Sequence, residues 1–390
     1  MSCNFFYWSD KKMTSNGDLN SWDVSNVTDL GNYIEKTAEF NGNLSRLSSW
    51  DVSSVTTLQA TFQTATAFNG DLSSWDVSNV ENMQGTFRFA TAFNSNLNSW
   101  DVSSVTSMYY TFDNAIDFNG DLSSWDVSSV TTLRNTFYEA AEFNSNLSSW
   151  DVSSVTNLDN TCRSATYFHS DPSGWDVSKV QRMYSTLGSA ISFNGNLNGW
   201  DVSSVTTLDN TFQTAINFNG TLNGWDVSTV TDMSGTFSSA TKFNGNLNGW
   251  DVSKVQSMPY TFDHAIWFNG DLSGWDASAV TNLEETFGSA FNFNGNLKGW
   301  DVSRVEGMQG IFEDAGLTDC TKRAIHESWY SKYEKSPGDW PMLQNSTRAT
   351  HVPSTSSAPS ASPSLAQSSA PSSPRITIVG SIIGTIVSGS

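Results

Sequence analysis

Cysteine is scarce in this chain: Cys3, Cys162 and Cys320 are the three among 390 residues. They form no CxxC pair and no cluster with histidine, which removes a disulfide framework and a structural zinc site. Basic residues are also few, 19 Lys and Arg against 39 Asp and Glu, for a formal charge of −20. An acidic surface repels phosphate, so it argues against nucleic acid and anionic membrane and favours solubility, cations or basic partners. Histidine is rarer still. His169, His264, His326 and His351 are scattered, with no shared position and no partner nucleophile, and no Gly-rich phosphate loop follows a strand. The chain therefore reads as a non-enzyme with no cofactor. The opening MSCNFFYWSDKK lacks a basic n-region, a long apolar core and a small-residue cleavage site, so no secretory signal is visible.

What is abundant is tryptophan at one spacing. Trp50, Trp75, Trp100, Trp125, Trp150, Trp175, Trp200, Trp225, Trp250, Trp275 and Trp300 stand 25 residues apart, each followed by Asp. Trp22 starts one more copy, 28 residues before Trp50, because Ser45-Arg46-Leu47 lengthens that unit. A period this regular means a solenoid, in which each unit buries its apolar side only against its neighbours.

One unit, Phe193 to Asn217, has fixed apolar positions at Phe193, Leu197, Trp200, Val202, Val205, Leu208, Phe212 and Ala215. Trp200 and Val202 alternate with polar residues. That predicts a short strand over Leu197 to Val205, with Gly199, Asp201 and Ser203 on its outer side. Leu208, Phe212 and Ala215 follow at i, i+4 and i+7, one side of a short helix with Thr206 as N-cap. Phe218-Asn219-Gly220 is turn chemistry. The expected fold is an α/β repeat solenoid with one parallel β-strand and one short helix per 25-residue coil. About twelve coils at ~4.8 Å make a rod about 55–60 Å long. Cys162 takes a core position held elsewhere by Phe and reads as a small buried hydrophobe.

The run Leu197-x-x-Trp200-x-Val202-x-x-Val205 resembles the LxxLxLxx core of a leucine-rich repeat, with Trp and Val replacing Leu. The whole unit, xVTxMxxTFxxAxxFNxxLxxWDVS, resembles the BspA-like leucine-rich repeat surface proteins, a family built on a domain of unknown function. The likeness runs from Asn16 to Ala315. It implies a leucine-rich-repeat-like rod, secreted or surface-anchored, of a kind discussed as adhesins. Two departures stand out: the second Met of the motif is mostly Thr here (Thr211, Thr236), and Ser170-Asp171-Pro172 replaces the repeat Leu with Pro. With His169 for Asn and Leu187 for Phe, that unit is expected to be locally irregular.

Side chains at one repeat position stack into columns. The Asp after each Trp supplies twelve of the 39 acidic residues, leaving 27 acidic against 19 basic. Neighbouring carboxylates ~4.8 Å apart repel by ~0.9 kcal/mol in water, and eleven such contacts sum to about 10 kcal/mol before screening. The column must be compensated. One reading has each carboxylate accept hydrogen bonds from nearby Ser hydroxyls and backbone amides; the other places Ca²⁺ between coils, with Asp101, Asp126, Asp151, Asp201 and Asp226 as candidate ligands. The same columns are the candidate binding face: Asp76, Ser78, Asp101, Ser103, Asp126, Ser128, Asp151, Ser153, Asp201, Ser203, Asp226, Ser228, Asp251 and Ser253. The Asn column, including Asn219, is expected to be buried and to bond backbone groups of the next coil. The Trp column is expected to pack the core rather than to bind carbohydrate, because Val shares its side.

The expected division is 1–15 as a partial or degenerate unit, 16–315 as the solenoid and 316–343 as a capping helix with Thr318 or Asp319 as cap. Residues 344–375 are a Ser/Pro-rich disordered stalk, and 376–390 an apolar tail. That tail is shorter than the ~20 residues a membrane helix needs. It reads as a truncated membrane span, a lipid-anchor signal or simply a sticky apolar tail. Sequons at Asn26, Asn43, Asn146, Asn219 and Asn345 fit a glycoprotein. The function expected is a surface-displayed scaffold binding a protein or glycan ligand, with membrane attachment through the tail. A self-associating wall component and an ice-binding solenoid are the alternatives. The sequence leaves the ligand, the anchor and the oligomeric state open.

Overall fold

In the computed structural model, residues 23–32 and 47–330 are described. They build twelve coils joined by a ladder of single-residue parallel bridges that steps from Asp29 through Thr57, Thr132 and Thr207 to Gly307. The repeat solenoid is thus present, but each coil is neither strand nor helix as the periodicity predicts. Leu197 to Val205 is two consecutive β-turns, closed by Trp200 N–H to the Leu197 carbonyl at 3.0 Å and Val205 N–H to the Val202 carbonyl at 2.9 Å. Asp201 forces the second turn by accepting the Ser203 amide at 3.0 Å. The extended stretch lies later, around Thr207. Thr206 caps nothing: its amide donates back to the Gln181 carbonyl of the preceding coil at 3.0 Å.

Leu208 to Ala215 replaces the expected helix with overlapping turns. The amides of Thr211, Gln213 and Ala215 bond three residues back within the coil, while those of Leu208, Asn210, Phe212 and Thr214 donate to carbonyls of the following coil. This alternation requires a left-handed residue twice per coil, here Asn210 at φ 55° and Thr214 at φ 57°. A helix spends its amides beyond the first turn on itself; these turns spend half of theirs on joining coils. Thr211 ties the arrangement down. It is fully buried, and its hydroxyl reaches the Leu208 carbonyl at 2.7 Å and the Met183 carbonyl of the preceding coil at 2.9 Å. That explains Thr at the second Met position of the family motif: a thioether could donate to neither carbonyl.

The apolar positions read from the repeat all point inward. Indoles stack between coils at 6.0–6.4 Å, and each Nε1–H from Trp75 to Trp300 donates to a carbonyl of the preceding coil, as Trp225 does to Leu197 at 2.8 Å. Two phenylalanine columns pair within coils at 3.8–4.3 Å. One of them is interrupted by Cys162 and Leu187, both buried, and burial pushes the Cys162 thiol upward in pKa. The Ser170-Asp171-Pro172 unit is regular, contrary to expectation. Pro172 is buried in place of Leu, its carbonyl accepts the Trp200 indole at 3.0 Å, and Asp171 turns the Ser173 amide at 3.0 Å. A coil holds its shape through carbonyls and carboxylates, which proline leaves intact.

The last coil is closed by helix α1 (Asp319–Tyr330). Thr318 is its N-cap, accepting the Thr321 amide at 3.3 Å. Its inward side is Ile325 and Trp329, both fully buried, while Ala324 and Tyr330 are exposed. Trp329 stacks on Trp300 at 6.3 Å and donates to the Leu297 carbonyl at 3.0 Å, as a coil tryptophan would. Gly316 permits the approach, since a Cβ there would fall against the Phe291 carbonyl. Residues 1–22 and 33–46 lie outside the described residues, as do 331–390 with the stalk, the apolar tail and His351.

Candidate functional site

The Asp–Ser columns run along one strip of the coils with exposed carboxylates and half-buried serines, at Asp76 and Ser78 through Asp251 and Ser253. They do not form the outer side of a strand; every one of the twelve Asp is a turn residue. Its Oδ1 accepts the amide of the Ser two positions on at 3.0–3.1 Å, from Asp23 to Asp301. Hydroxyl donation at 2.6 Å adds to this at Ser25, Ser53, Ser78 and Ser103. These serine bonds hold the carboxyls of Asp101, Asp126, Asp176, Asp226 and Asp251 below the ordinary carboxylate value. For Asp126 the opposing push from Asp101 is the smallest of the causes. The repulsion is met by turn hydrogen bonds. Among the described residues no three His, Cys, Asp or Glu side chains are grouped as a metal site would need.

Two further columns do the same kind of work. Among the described residues the Asn of the Phe-Asn turn is exposed, or half-buried at Asn144, rather than buried, yet it does bond the next coil: Asn94 N–H reaches Asn69 Oδ1 at 2.9 Å, and Asn244 reaches Asn219 likewise at 2.9 Å. His169 takes one place in this ladder, donating its amide to Asn144 Oδ1 at 2.9 Å, and Thr318 ends it on Asn294 at 2.9 Å. The residue before the repeat Leu forms a second carboxylate or amide turn, as in Asp121 to the Ser123 amide at 2.9 Å and Asn196 to the Asn198 amide at 3.1 Å. Sequence reasoning missed this column, although Asp or Asn two residues before Ser or Asn was its visible signal.

The residues that the repeat leaves free lie elsewhere, at the positions of Asp209, Asn210, Gln213 and Thr214. None of these positions holds one residue type through the coils. Between Asn82 and Ser189 they carry arginine and tyrosine. Arg88 bonds Asp113, which is 2% exposed, through Nε at 2.7 Å and lies over the Tyr110 ring at 4.2 Å. Tyr110 packs on Tyr109 at 3.9 Å, Arg134 lies over Tyr109 at 5.2 Å, and Arg163 over Tyr138 at 5.7 Å. Buried Asp159 holds the Arg182 Nε at 2.8 Å and the Tyr184 amide at 3.0 Å. Further along the same columns, Asp209 is pushed up to about 6 by burial and then by Asp232.

The histidines stay apart. His169 belongs to the Asn ladder, His264 contacts Asp263 at 2.8 Å, and His326 stacks on Tyr330 within α1.

A repeat solenoid held by turn-forming Asp, Asn and Thr columns around stacked indoles is a BspA-like leucine-rich repeat protein. The chain belongs to the family described as Mycoplasma protein of unknown function, DUF285, whose model matches three times in succession, over residues 2–125, 106–225 and 206–323. Among curated proteins none matches. Similar solved structures include a leucine rich cell surface protein from Faecalibacterium prausnitzii, 12% identical over 70% of this chain and 80% of that one, with a TM-score of 0.32. An LRR protein from Leptospira interrogans is 9% identical over 72% and 75% of the two chains, with a TM-score of 0.19. Likenesses at that level carry no information about the coil or its ligands.

Proposed function

We propose that this chain is a non-enzymatic repeat scaffold displayed at a cell surface, where it adheres through a protein or glycan ligand. The observation that carries the reading is the division of labour within the coil. Core, turn and ladder positions are dictated by the fold, whereas four columns are left free and hold a local concentration of arginine and tyrosine. Solenoids bind through such extended surfaces, and side chains that the fold does not require are where a ligand can select. The Asp–Ser columns serve the coil first; we assign to them solubility and a lesser, uniform contact strip. The Ser/Pro-rich segment and the apolar tail fit display on a stalk anchored at the membrane.

Two measurements test this. Protease treatment of intact cells that make the protein should remove an antibody epitope placed in the solenoid. Beads coated with the full chain should adhere to a cell or matrix surface. An epitope protected until the cells are lysed, with beads that adhere to nothing, would sink the reading.

A further inference from the structure

We infer that the arginine–tyrosine patch over the coils from Asn82 to Ser189 is a binding site for a carboxylated, uronate-bearing polysaccharide. The inference rests on the scaffold reading above and names its site and ligand class. Three observations carry it.

The first is charge. On a chain of net charge −20, arginines gather here, and they are of two kinds. Arg88 and Arg182 are committed to buried Asp113 and Asp159. Arg134 and Arg163 have no carboxylate within ion-pair distance among the described residues; each rests on a tyrosine ring instead. A guanidinium resting over a ring makes no hydrogen bond to it, so its N–H donors remain for a carboxylate, which they suit as a fork. Stacking also fixes the side chain before a ligand arrives, which lowers the ordering cost of binding.

The second is what the patch lacks. From Asn82 to Ser189 the four free columns hold Asn, Gln, Gly, Ser, Asp, Glu, Arg, Tyr and one Phe, and no aliphatic residue. A protein–protein hot spot also favours tyrosine and arginine, but seats them in well-packed, fully desolvated pockets. A polysaccharide asks for something else: ring faces for its axial C–H groups and planar amides and hydroxyls for its many hydroxyls. Tyr109, Tyr110 and Tyr138 supply both, being half-buried, so that the ring is held while part of each residue meets solvent.

The third is support from beneath. Asp113 is buried at 2% exposure between the Arg88 Nε and the Asn114 side-chain Nδ2, which donates to its Oδ1 at 2.8 Å, and the Arg88 guanidinium reaches both Phe89 and Tyr110. The patch is therefore linked from coil to coil through Arg88, Tyr110, Tyr109 and Arg134, and it runs along the rod. A linear ligand lying along the axis meets one coil after another. Arg134 and Arg163 take carboxylates from it, and the solvent-reaching parts of the tyrosines take its hydroxyls and C–H groups.

The test uses the full chain and three immobilised probes: polygalacturonate, neutral dextran and poly-L-glutamate. Wild type should bind polygalacturonate, with affinity falling as salt is raised from 50 to 200 mM, and should ignore dextran. R134Q/R163Q should bind polygalacturonate at least tenfold more weakly, R134K/R163K should recover part of the loss, and K254Q, beside the Asp column, should match wild type. Near-unchanged circular dichroism would show that the variants fold. No binding to polygalacturonate, or binding indifferent to R134Q/R163Q, overturns the site. Tighter binding to poly-L-glutamate than to polygalacturonate replaces the polysaccharide with an acidic protein segment and overturns the ligand class. Beads that adhere to cells while ignoring polygalacturonate would defeat this inference and leave the scaffold reading standing.

Discussion

Replacing Asp101 and Asp126 together, once by Asn and once by Ala, separates the two properties an aspartate brings to the coil. Asn keeps a side-chain carbonyl for the Ser103 and Ser128 amides, now 3.1 and 3.0 Å away, and removes the charge; Ala removes both. Losing the acceptor of a local turn resembles losing a helix N-cap, about 1 kcal/mol each, so two turns cost about 2 kcal/mol. Against this stands charge relief. Neutralising two neighbours abolishes three repulsions, with Asp76, between the pair, and with Asp151. At coil spacing each is ~0.9 kcal/mol in bare water, and screening at physiological salt roughly halves it, returning about 1 kcal/mol in total. The Ala pair should therefore be about 1 kcal/mol less stable than wild type. The Asn pair gains the same relief, loses only the charge assistance to two hydrogen bonds, and should stay within about 0.5 kcal/mol. Urea melts followed by tryptophan fluorescence would measure both, and half-molar NaCl should stabilise wild type more than either variant. EDTA and millimolar Ca²⁺ should move none of the midpoints. If Asn proves as damaging as Ala, or if EDTA lowers the wild-type midpoint, the carboxylate charge itself is required, and the turn account is wrong.

Two other outcomes follow from the same geometry. Trp225→Phe removes the indole donor to the Leu197 carbonyl, which keeps the Trp200 amide, and it leaves a small void between stacked rings. The expected loss is about 2 kcal/mol by urea melt, with the hydrogen exchange of the flanking coils faster than that of distant ones. Asp209 is raised to about 6 by burial and by Asp232, so its folded form binds protons more readily than its unfolded form, and this group destabilises as pH rises from the ordinary carboxylate value through about 6. Asp209→Asn should therefore stabilise the chain at pH 7, by about 1 kcal/mol after allowance for solvent screening, and by clearly less at pH 5. Melts at the two pH values decide it, and an equal gain at both would contradict the assignment.

Much of the core was legible because its period is a packing rule. Leu197, Trp200, Val202, Val205, Leu208, Phe212, Ala215 and Phe218 point inward whatever the backbone does between them. The backbone itself was misread, and for one reason in both halves. Alternation at Trp200 and Val202 is what a strand shows, but the Asp between them turns the chain; spacing at Leu208, Phe212 and Ala215 is what a helix shows, but overlapping turns give the same inward set. No composition rule marks the left-handed positions either, since the equivalents of Asn210 are filled by Ala60, Tyr110 and Glu285 as readily as by Gly235. Tertiary hydrogen bonds impose that backbone shape over local preference. For the site, the repeat drew the eye to what never changes, the Asp–Ser columns. The positions that vary were passed over because a periodic reading averages them away.

Helix α1 offers its neighbour what the next coil would have offered: an indole at 6.3 Å, a donor for the Leu297 carbonyl and, through Thr318, a rung for the Asn ladder. On the indole and asparagine columns the stopper gives coil twelve what another repeat would, while the bridge ladder ends at Gly307. Every junction in the rod then has nearly the same two sides, so excising or duplicating a whole number of 25-residue units leaves matching surfaces at the splice and the same stopper at the end. Copy number is the one dimension that this architecture leaves free to drift, and the arginine–tyrosine coils can be carried nearer to or farther from the terminus without rebuilding anything around them.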